Sequence, residues 1–400
     1  MKRIIYSSDI DLSQPNGPGV NEREFVESLT KIFDKTITLI IPRFKNPMSE
    51  LKKLFQINGN QLIFIQKKTK NPLLFLIKQI NTFFILRTVF KNENHKNDTI
   101  FVFRLIIFPI SQYLFIKIYN PQYVLRICGD GTFPFLNKNL IFKFIFKPLN
   151  KYIMRYLYLN SLCCDAVSNV HVKSLENNFQ GNFVKIDNGV NTDRFIPKGK
   201  NSVILKNFGF SESDFIIGYT GNFPHIRGGN EIVEAFYYLK KSYNLKFKAI
   251  ITGDDGGVKF LRKKILKYNL EDDIKLLGKI DYSKIPSLVN QLDLGVSFLD
   301  KQFRGASEQK VRQYLASGVP AIVSPGGSDF VDKHSIGRVV EHLDGIENVA
   351  NVFLQFYEMD IEERMLYKLK ARKFAEDYIS VNEQNKLRLK LWEKNLLNAK

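Results

Sequence analysis

The strongest chemical signal in this sequence is a cation at the start of a predicted helix. Arg227, followed by Gly228 and Gly229, stands between an apolar run, Phe215–Thr220, and a helix-like segment that begins near Asn230. A glycine turn brings backbone N–H groups and the positive end of a helix close to an anion, and a guanidinium can bind a diphosphate through two hydrogen bonds. The pattern therefore predicts a site for a nucleotide-type ligand. An exposed surface arginine is the alternative.

A second predicted helix carries polar residues in its first turn. The segment SEQKVRQYLASGVPAIVS places Ser307, Glu308 and Lys310 at the N-terminal end, where a ligand could be bound, and Gly318 ends the helix before the next strand. Glu308 and Arg312 have i,i+4 spacing, so a simple ion pair on the helix surface is the alternative.

Near the N-terminus, a glycine-containing loop follows the first predicted strand. Gly17 and Gly19 precede a helix expected to begin near Asn21, and such glycines let the backbone approach an anion or a sugar hydroxyl. An ordinary flexible loop is the alternative. The run GDDGG, Gly253–Gly257, has adjacent carboxylates that tend to diverge, so no divalent metal is expected there.

Short apolar strands alternate with helix-like segments along the sequence and would position these residues. Such alternation is typical of α/β folds with parallel sheets. The alternation predicts two Rossmann-like, doubly wound domains, with ligands between them at the carboxyl ends of their strands. The predicted domains are residues 1–198 and 199–372, followed by a helical tail, 373–400, that would pack back on the first. The predicted strands are Lys2–Tyr6, Thr36–Ile41, Thr99–Phe103, Tyr123–Ile127, Phe215–Thr220, Phe247–Thr252, Ile274–Leu277, Leu294–Phe298 and Pro320–Ser324.

The net charge of +19 predicts a polyanionic partner: nucleic acid, an anionic lipid surface or a phosphorylated small molecule. No zinc-finger spacing, aromatic RNA-binding motif or basic heptad supports nucleic acid as the partner.

The first residues lack the apolar core of a secretory signal, so a cytoplasmic location is expected. Cys128, Cys163 and Cys164 have neither disulfide-framework nor metal-ligand spacing and are interpreted as buried thiols.

Apolar segments of the first half raise the question of a membrane. Charged and helix-breaking residues interrupt Ile100–Ile116, which is better explained by a strand and a buried helix than by a transmembrane span. The segments LLFLIKQINTFFILRTVF and LIFKFIFKPLNKYIMRYLY predict helices with apolar inner and basic outer faces. In the second, Lys143, Lys147, Lys151 and Arg155 recur every fourth residue, a face suited to anionic lipid, although Pro148 would kink that helix. A solvated basic face is the alternative.

Five stretches, in order, resemble the GT-B glycosyltransferases of the large retaining group called family 4. They are NGPGV, DAVSNVHVKSL with KIDNGVNTDRFIP, GYTGNFPHIRGG, IKLLGKIDYSKIPSLVNQLDLGVSFL and KVRQYLASGVPAIVSPGGS. The resemblance implies a GT-B fold, an acceptor-binding first domain and a nucleotide-sugar-binding second domain. It also implies retained stereochemistry. Transfer without a metal ion is expected, since the GDDGG run does not indicate one.

The resemblance assigns roles with some departures. Asn222 stands where the family usually has a diphosphate-binding arginine, and Arg227 where it has a lysine. Gly305 and Gln313 occupy the positions of two glutamates that contact the sugar and the ribose. Asp130 lies near the position of a catalytic histidine, and capping of the helix that follows is the alternative. The predicted catalytic residues are Asp130 and Arg227, and the predicted donor-binding residues are Gly17, Gly19, Asn222, Gly228, Ser307, Glu308, Lys310 and Gln313.

The expected function is transfer of a hexose from a nucleoside diphosphate sugar to a saccharide or lipid-linked saccharide, in cell-surface polysaccharide synthesis. No cofactor and no nucleic acid are expected, and the protein would be cytoplasmic or peripheral on the inner face of the membrane. Because Gly305 cannot replace a carboxylate, a degenerate GT-B protein that binds a sugar nucleotide or a partner without turnover is the alternative.

Overall fold

The computed structural model describes residues 1–14, 17–43, 59–67, 71–104, 108–128, 146–243, 247–301 and 308–399. By its contacts the chain divides into two compact units, Met1–Asn188 with Gln384–Lys400 and Gly189–Glu383. Each unit contains a parallel sheet with interleaved helices, so the predicted α/β class is confirmed.

The first unit is built on a seven-stranded sheet in the order β3-β2-β1-β4-β5-β6-β7. Successive side chains of β1 enter different cores: Ile4 and Tyr6 pack on one face of the sheet and Ile5 on the other. Both faces are covered, which explains the nearly continuous apolar runs of the central strands. The strands are β1 (Arg3–Ser8), β2 (Thr36–Pro42), β3 (Gln61–Ile65), β4 (Thr99–Arg104), β5 (Tyr123–Ile127), β6 (Cys164–Ala166) and β7 (Phe183–Lys185).

The described helices of the first unit are α1 (Gly17–Ile32), α2 (Pro72–Lys91), α3 (Ile110–Tyr119), α4 (Lys147–Leu159) and α5 (Asn169–Asn178), together with most of a C-terminal helix, α14 (Val381–Asn398). The apolar segment around residues 100–116 forms β4 and α3, as predicted. Pro148 lies in the first turn of α4, where its missing N–H costs nothing, so no kink results.

The second unit has a six-stranded sheet in the order β10-β9-β8-β11-β12-β13. Its strands are β8 (Phe215–Tyr219), β9 (Phe247–Thr252), β10 (Ile274–Gly278), β11 (Leu294–Ser297), β12 (Ala321–Val323) and β13 (Gly337–Val339). Its described helices are α6 (Ser202–Lys206), α7 (Gly229–Tyr243), α8 (Asp255–Lys267), α9 (Ile285–Val289), α10 (Gln309–Ala316), α11 (Phe330–Lys333), α12 (Ile346–Glu358) and α13 (Ile361–Tyr378).

The unit boundaries lie at Asn188 and Gln384, whereas the sequence predicted residues 198 and 373. The residues after Asn188 are tied to the second unit by hydrogen bonds. Arg372 of α13 donates to the carbonyls of Thr192 and Phe195, at 3.2 and 2.7 Å, and the Lys198 amide donates to Asn290. Helix α13 therefore belongs to the second unit, and the return to the first unit occurs within α14.

The basic outer face predicted for the first apolar segment is wrong for α2. Its Lys78 is buried and forms an ion pair with Asp9, at 2.6 Å, whereas its exposed positions include Leu73, Ile80 and Phe84. The cation points inward because the Asp9 carboxylate, which is partly exposed, is available there as a partner. Helical periodicity cannot reveal such a partner.

The C-terminal helix enters the core of the first unit through a buried ion pair. The Arg388 guanidinium contacts the Asp165 carboxylate at 2.5 Å, donates to the Asp187 carbonyl and is fully buried. Nearby, Trp392 is fully buried in the core that contains β1 and β2. The last residues of the chain are therefore integral to the first unit.

Replacing Arg388 with alanine is expected to destabilise the protein strongly, because the Asp165 carboxylate would remain buried without its cation. Removal of one partner of such a pair costs about 3–5 kcal/mol. Urea unfolding measures the free energy of unfolding, with the exposed Lys390→Ala as the matched control. Equal losses below about 1 kcal/mol in both variants would contradict a structural role for the pair.

Candidate active site

The strand order of the second unit places one crevice at the carboxyl ends of β8 and β11. These neighbouring strands lie at the centre of the sheet, and the chain connects outward from them in opposite directions. Ligands of open α/β sheets bind at this switch point. The turns after β8 and β11 carry the groups predicted from sequence, from Asn222 to Arg227 and from Glu308 onward.

The turn after β8 is fixed by hydrogen bonds to neighbouring elements. The Gly221 amide donates to the Thr252 hydroxyl at 2.9 Å, and the Tyr219 hydroxyl donates to the Asn222 carbonyl at 2.5 Å. The Thr220 amide donates to the hydroxyl of Tyr314, on α10, at 2.8 Å. Asn222, which is partly exposed, therefore lies on a rigid turn at the switch point.

Arg227 precedes α7, as predicted, and its backbone is anchored to β11. Its carbonyl accepts a hydrogen bond from the Phe298 amide at 3.2 Å, and its side chain is partly exposed. Gly228 follows with φ +124°, and a Cβ there would stand 2.9 Å from Cγ1 of Val296. Glycine is thus required by both conformation and packing. The turn brings Arg227 and the N-terminus of α7 to the same edge of the sheet.

Glu308 lies directly before α10 and is buried. Its carboxylate accepts hydrogen bonds from the hydroxyls of Ser297, at the end of β11, and of Ser328. Burial raises the pKa of Glu308, and the charge of Lys310 is the main influence that opposes this rise. The alternative of a surface pair with Arg312 is wrong, because both side chains are buried.

Lys310 is the second cation of this edge. Its ammonium donates to the Ser297 hydroxyl at 3.2 Å and lies 5.0 Å from the centre of the Tyr219 ring. A Cβ on Gly221 would stand 3.2 Å from Cε of Lys310, so the side chain reaches the turn after β8. Burial lowers the pKa of Lys310 to about 8; Glu308 opposes this, and the nearby charge of Arg227 adds to it. Two cations therefore converge on one turn.

Gln313, one turn further along α10, is buried and donates to the Tyr282 hydroxyl at 3.4 Å. Its carbonyl oxygen and the Tyr282 hydroxyl are groups that can bind a sugar hydroxyl. Gly295 of β11 makes room for the ring of Tyr314, which the same helix carries across the strand. At the start of the helix, Glu308 and Lys310 both contact Ser297 at the carboxyl end of β11.

Sequence reasoning missed Glu231, which lies in the first turn of α7. One carboxylate oxygen of this residue is buried with no hydrogen-bond partner within the described residues. The pKa of Glu231 is raised to about 7, mainly by burial, and the charge of Asp300 contributes to this rise. Only its position next to the glycine pair, where the stretch GGNEIVEAF becomes apolar, could have drawn attention to it.

The pKa of Glu231 predicts a pH-dependent stability. The folded protein keeps a proton on this carboxyl between pH 4.5 and about 7, whereas the unfolded chain has lost it, so stability falls as pH rises through that window. Replacing Glu231 with glutamine removes this loss and should stabilise the protein by up to about 3 kcal/mol above pH 7. Thermal unfolding from pH 4 to 9 measures it, with the exposed Glu362→Gln as control. Parallel curves for Glu231→Gln and native protein would contradict the prediction.

In the first unit, the position of the glycines after β1 relative to the helix differs from the prediction. Helix α1 begins at Gly17 itself, so Gly17 and Gly19 lie in its first turn and not in a loop before it. Gly17 is exposed and has space for a Cβ, whereas Gly19 is buried. Both glycines therefore lie at the N-terminal end of α1, next to the carboxyl end of β1.

Glu22 of α1 is the centre of a cluster of buried polar side chains. Glu22 forms ion pairs with Arg104, at the end of β4, and with Arg126, at 2.9 Å, and accepts a hydrogen bond from the Tyr6 hydroxyl. Arg126 also donates to Asn188 at 3.1 Å. The two guanidinium groups keep Glu22 ionised and lower its pKa against the effect of burial. This cluster, which the sequence reasoning did not find, fixes α1 at the switch point between β1 and β4.

Four predicted positions, Asp130, Lys143, Ser307 and Gly305, lie outside the described residues. Of the cysteines, Cys163 and Cys164 are buried as predicted, whereas Cys128 is partly exposed at the end of β5. Among the described residues, no group of three or more His, Cys, Asp or Glu side chains is arranged to bind a metal ion.

The fold is that of the GT-B glycosyltransferases. A glycosyltransferase from Rickettsia africae ESF-5 has a TM-score of 0.76 with 20% identity, over 99% of this chain and 98% of that one. HepE from Anabaena, in complex with UDP and glucose, has a TM-score of 0.71 with 14% identity, over 98% and 100%. A variant of TarM from S. aureus, in complex with fondaparinux, alpha-GlcNAc-glycerol and UDP, has a TM-score of 0.64 with 14% identity, over 98% and 100%.

Residues 202–374 match the family model described as glycosyl transferases group 1. This match lies within the second unit, and the fold is the GT-B fold that the sequence motifs indicated. No curated protein matches this sequence.

Proposed function

We propose that this protein is an active retaining hexosyltransferase, which transfers a sugar from a nucleoside diphosphate sugar to a saccharide or lipid-linked saccharide. The observation that supports this most directly is the pair of cations, Arg227 and Lys310, at the switch point of a group 1 glycosyl transferase domain. HepE binds UDP and glucose, so a UDP-sugar is the first donor to test.

In this proposal, the two cations and the N-terminus of α7 bind the diphosphate. Negative charge grows on the diphosphate as the bond to the sugar breaks, and preorganised donors that are already in place stabilise it. The leaving phosphate can accept the proton of the acceptor hydroxyl, so the protein needs no strong base. Glu308 is buried and held by Ser297 and Ser328, which suits it to orient Lys310.

Lys310 compensates for the arginine that is missing at Asn222. The family resemblance places a cation in the turn after β8, whereas the Asn222 side chain is uncharged. The Lys310 side chain, from α10, reaches the same turn at Gly221. The site would therefore keep two cations, one of them supplied by a different element.

On the acceptor side, Asp130 is proposed to orient the acceptor hydroxyl, and Gly17 and Gly19 to contact the donor through backbone N–H groups. Gln313 is proposed to bind a ribose hydroxyl. TarM was captured with alpha-GlcNAc-glycerol, which supports a polyol or saccharide acceptor. A role in cell-surface polysaccharide synthesis, without cofactor or metal, and a cytoplasmic or membrane-peripheral location complete the proposal.

A degenerate protein that binds a sugar nucleotide without turnover is the second candidate, because Gly305 stands where the family has a carboxylate. Thermal shift with UDP-, GDP-, ADP- and CMP-sugars, followed by transfer assays with the best ligand, separates the two. Stabilisation together with sugar transfer supports the enzyme. Stabilisation with neither transfer nor donor hydrolysis supports the binding protein, and no stabilisation by any donor contradicts both.

A further inference from the structure

Helix α2 presents apolar side chains to solvent over much of its length. Within the described residues it is the one helix long and apolar enough to span a bilayer, judged by length and composition, and only 22% of its most apolar window is buried. Leu73 is 66% exposed, and five further large apolar side chains of the same helix are exposed: Leu74, Leu76, Ile77, Ile80 and Phe84. Soluble proteins rarely expose a continuous apolar patch without a binding function.

From Gln79 onward, α2 is packed against the rest of the folded unit. Leu86 is fully buried in the core shared with α3 and α4, and Arg87 donates to the Tyr119 hydroxyl of α3 at 3.0 Å. Ser111 of α3 donates to Gln79 at 2.8 Å. A bilayer-spanning α2 would have to give up these contacts, so the helix can meet a membrane only from its surface.

The helices beside α2 continue the exposed surface. Helix α3 contacts α4 through the rings of Tyr113 and Tyr156, whose centres lie 5.2 Å apart. Ile118 of α3 is 60% exposed and Tyr152 of α4 is 57% exposed. We name the outward sides of α2, α3 and α4 the apolar-basic surface.

All charged residues of these three helices are cations. They contain seven Lys or Arg residues and no Asp or Glu. Five of the cations are exposed, namely Lys91, Lys117, Lys147, Lys151 and Arg155. Apolar side chains bordered by cations, without acidic residues, match the interface of an anionic bilayer, where headgroups neutralise the cations and acyl chains accept the apolar groups.

We propose that the apolar-basic surface docks the first unit on an anionic lipid bilayer, with the exposed residues of α2 inserted among the acyl chains. A second copy of the chain is a poorer occupant, because a symmetric contact would place the cations of this surface against themselves with no carboxylate between them. This proposal rests on the proposed transferase function in one respect: docking on the bilayer would give the enzyme access to a lipid-linked acceptor. Lipid binding itself needs neither donor nor acceptor, so its failure would leave the transferase proposal untouched.

Co-sedimentation of the full chain with vesicles tests the proposal. Native protein should bind vesicles that contain phosphatidylglycerol at least tenfold more tightly than pure phosphatidylcholine vesicles, and high salt should weaken the binding. Leu73→Glu with Leu76→Glu should reduce binding at least tenfold, and Lys151→Glu with Arg155→Glu should act similarly. The controls are Leu369→Glu, at a position 62% exposed, and Lys373→Glu, both on α13 of the second unit; they should bind as the native protein does.

Equal binding to neutral and anionic vesicles, or native binding by both pairs of variants, would overturn the proposal. So would a native dimer that the Leu73→Glu and Leu76→Glu variant dissociates while vesicle binding persists, since a second copy would then occupy the surface. Circular dichroism checks that each variant folds. If the apolar variant does not fold, the charge variant, at exposed positions, carries the test.

Discussion

Replacing Arg227 with alanine is expected to lower the rate of sugar transfer by about 10²–10³-fold, the usual effect of removing one preorganised donor from a developing negative charge. Arg227 is fixed at the N-terminus of α7 by the Gly228 turn and by the hydrogen bond from the Phe298 amide. Its guanidinium would act on the diphosphate mainly as the sugar leaves, so kcat should fall along with kcat/KM. Initial rates with the best donor of the panel measure the effect.

The conservative variant Arg227→Lys separates charge from geometry. It keeps a cation but not the planar pair of donors, so its rate should lie between those of the native and alanine proteins. Arg262→Ala, at an exposed position of α8 in the same unit, is the matched control and should retain native rates. Native turnover by Arg227→Ala would remove this residue from the mechanism.

The alkaline side of the pH profile is expected to depend on Lys310. Its pKa of about 8 means that the unliganded protein loses this cation as pH rises through 8, so kcat/KM for the donor should fall about tenfold per pH unit above that value. Lys310→Ala should lower kcat/KM by about 10- to 100-fold at pH 7, since a charged hydrogen bond is lost, and should abolish the descent.

The variant Lys310→Arg tests the same interpretation by keeping the positive charge and removing its titration. A guanidinium stays protonated throughout the range, so the alkaline descent should disappear while a substantial part of the activity at pH 7 remains. Lys263→Ala, at an exposed position of α8, serves as the control and should keep the native profile. An unchanged descent in Lys310→Ala would assign it to another group.

Local patterns were predictable from the sequence because they depend on neighbouring residues. The apolar run before Gly221 and the pair Gly228 and Gly229 define a strand, a turn and a helix start within one short stretch, and the structure has all three. Tyr123–Ile127 and Phe247–Thr252 were predicted with the observed bounds. The three-residue strands β6, β7 and β13 were not predicted, because so few positions form only a weak pattern. The equally short β12 was predicted because the helix end at Gly318 marks where it begins.

Features that depend on distant partners were not predictable. The burial of Glu308 follows from hydroxyls of Ser297 and Ser328, which other elements supply. The inward direction of Lys78 follows from Asp9, and the cluster around Glu22 needs β4 and β5 to be paired first. Helical periodicity describes one helix at a time. It therefore predicted a basic outer face for α2, whereas the observed outer face is largely apolar.

Calorimetric titration with nucleoside diphosphates tests the central claim, that the carboxyl edge of β8 and β11 binds a diphosphate through Arg227 and Lys310. We expect UDP, GDP or ADP to bind the full chain, and Arg227→Ala with Lys310→Ala to weaken this binding by at least about 100-fold because two charged contacts are lost. Arg262→Ala with Lys263→Ala should bind as the native protein does. No binding of any nucleoside diphosphate, or equal affinity in the two double variants, would contradict a diphosphate site at Arg227 and Lys310.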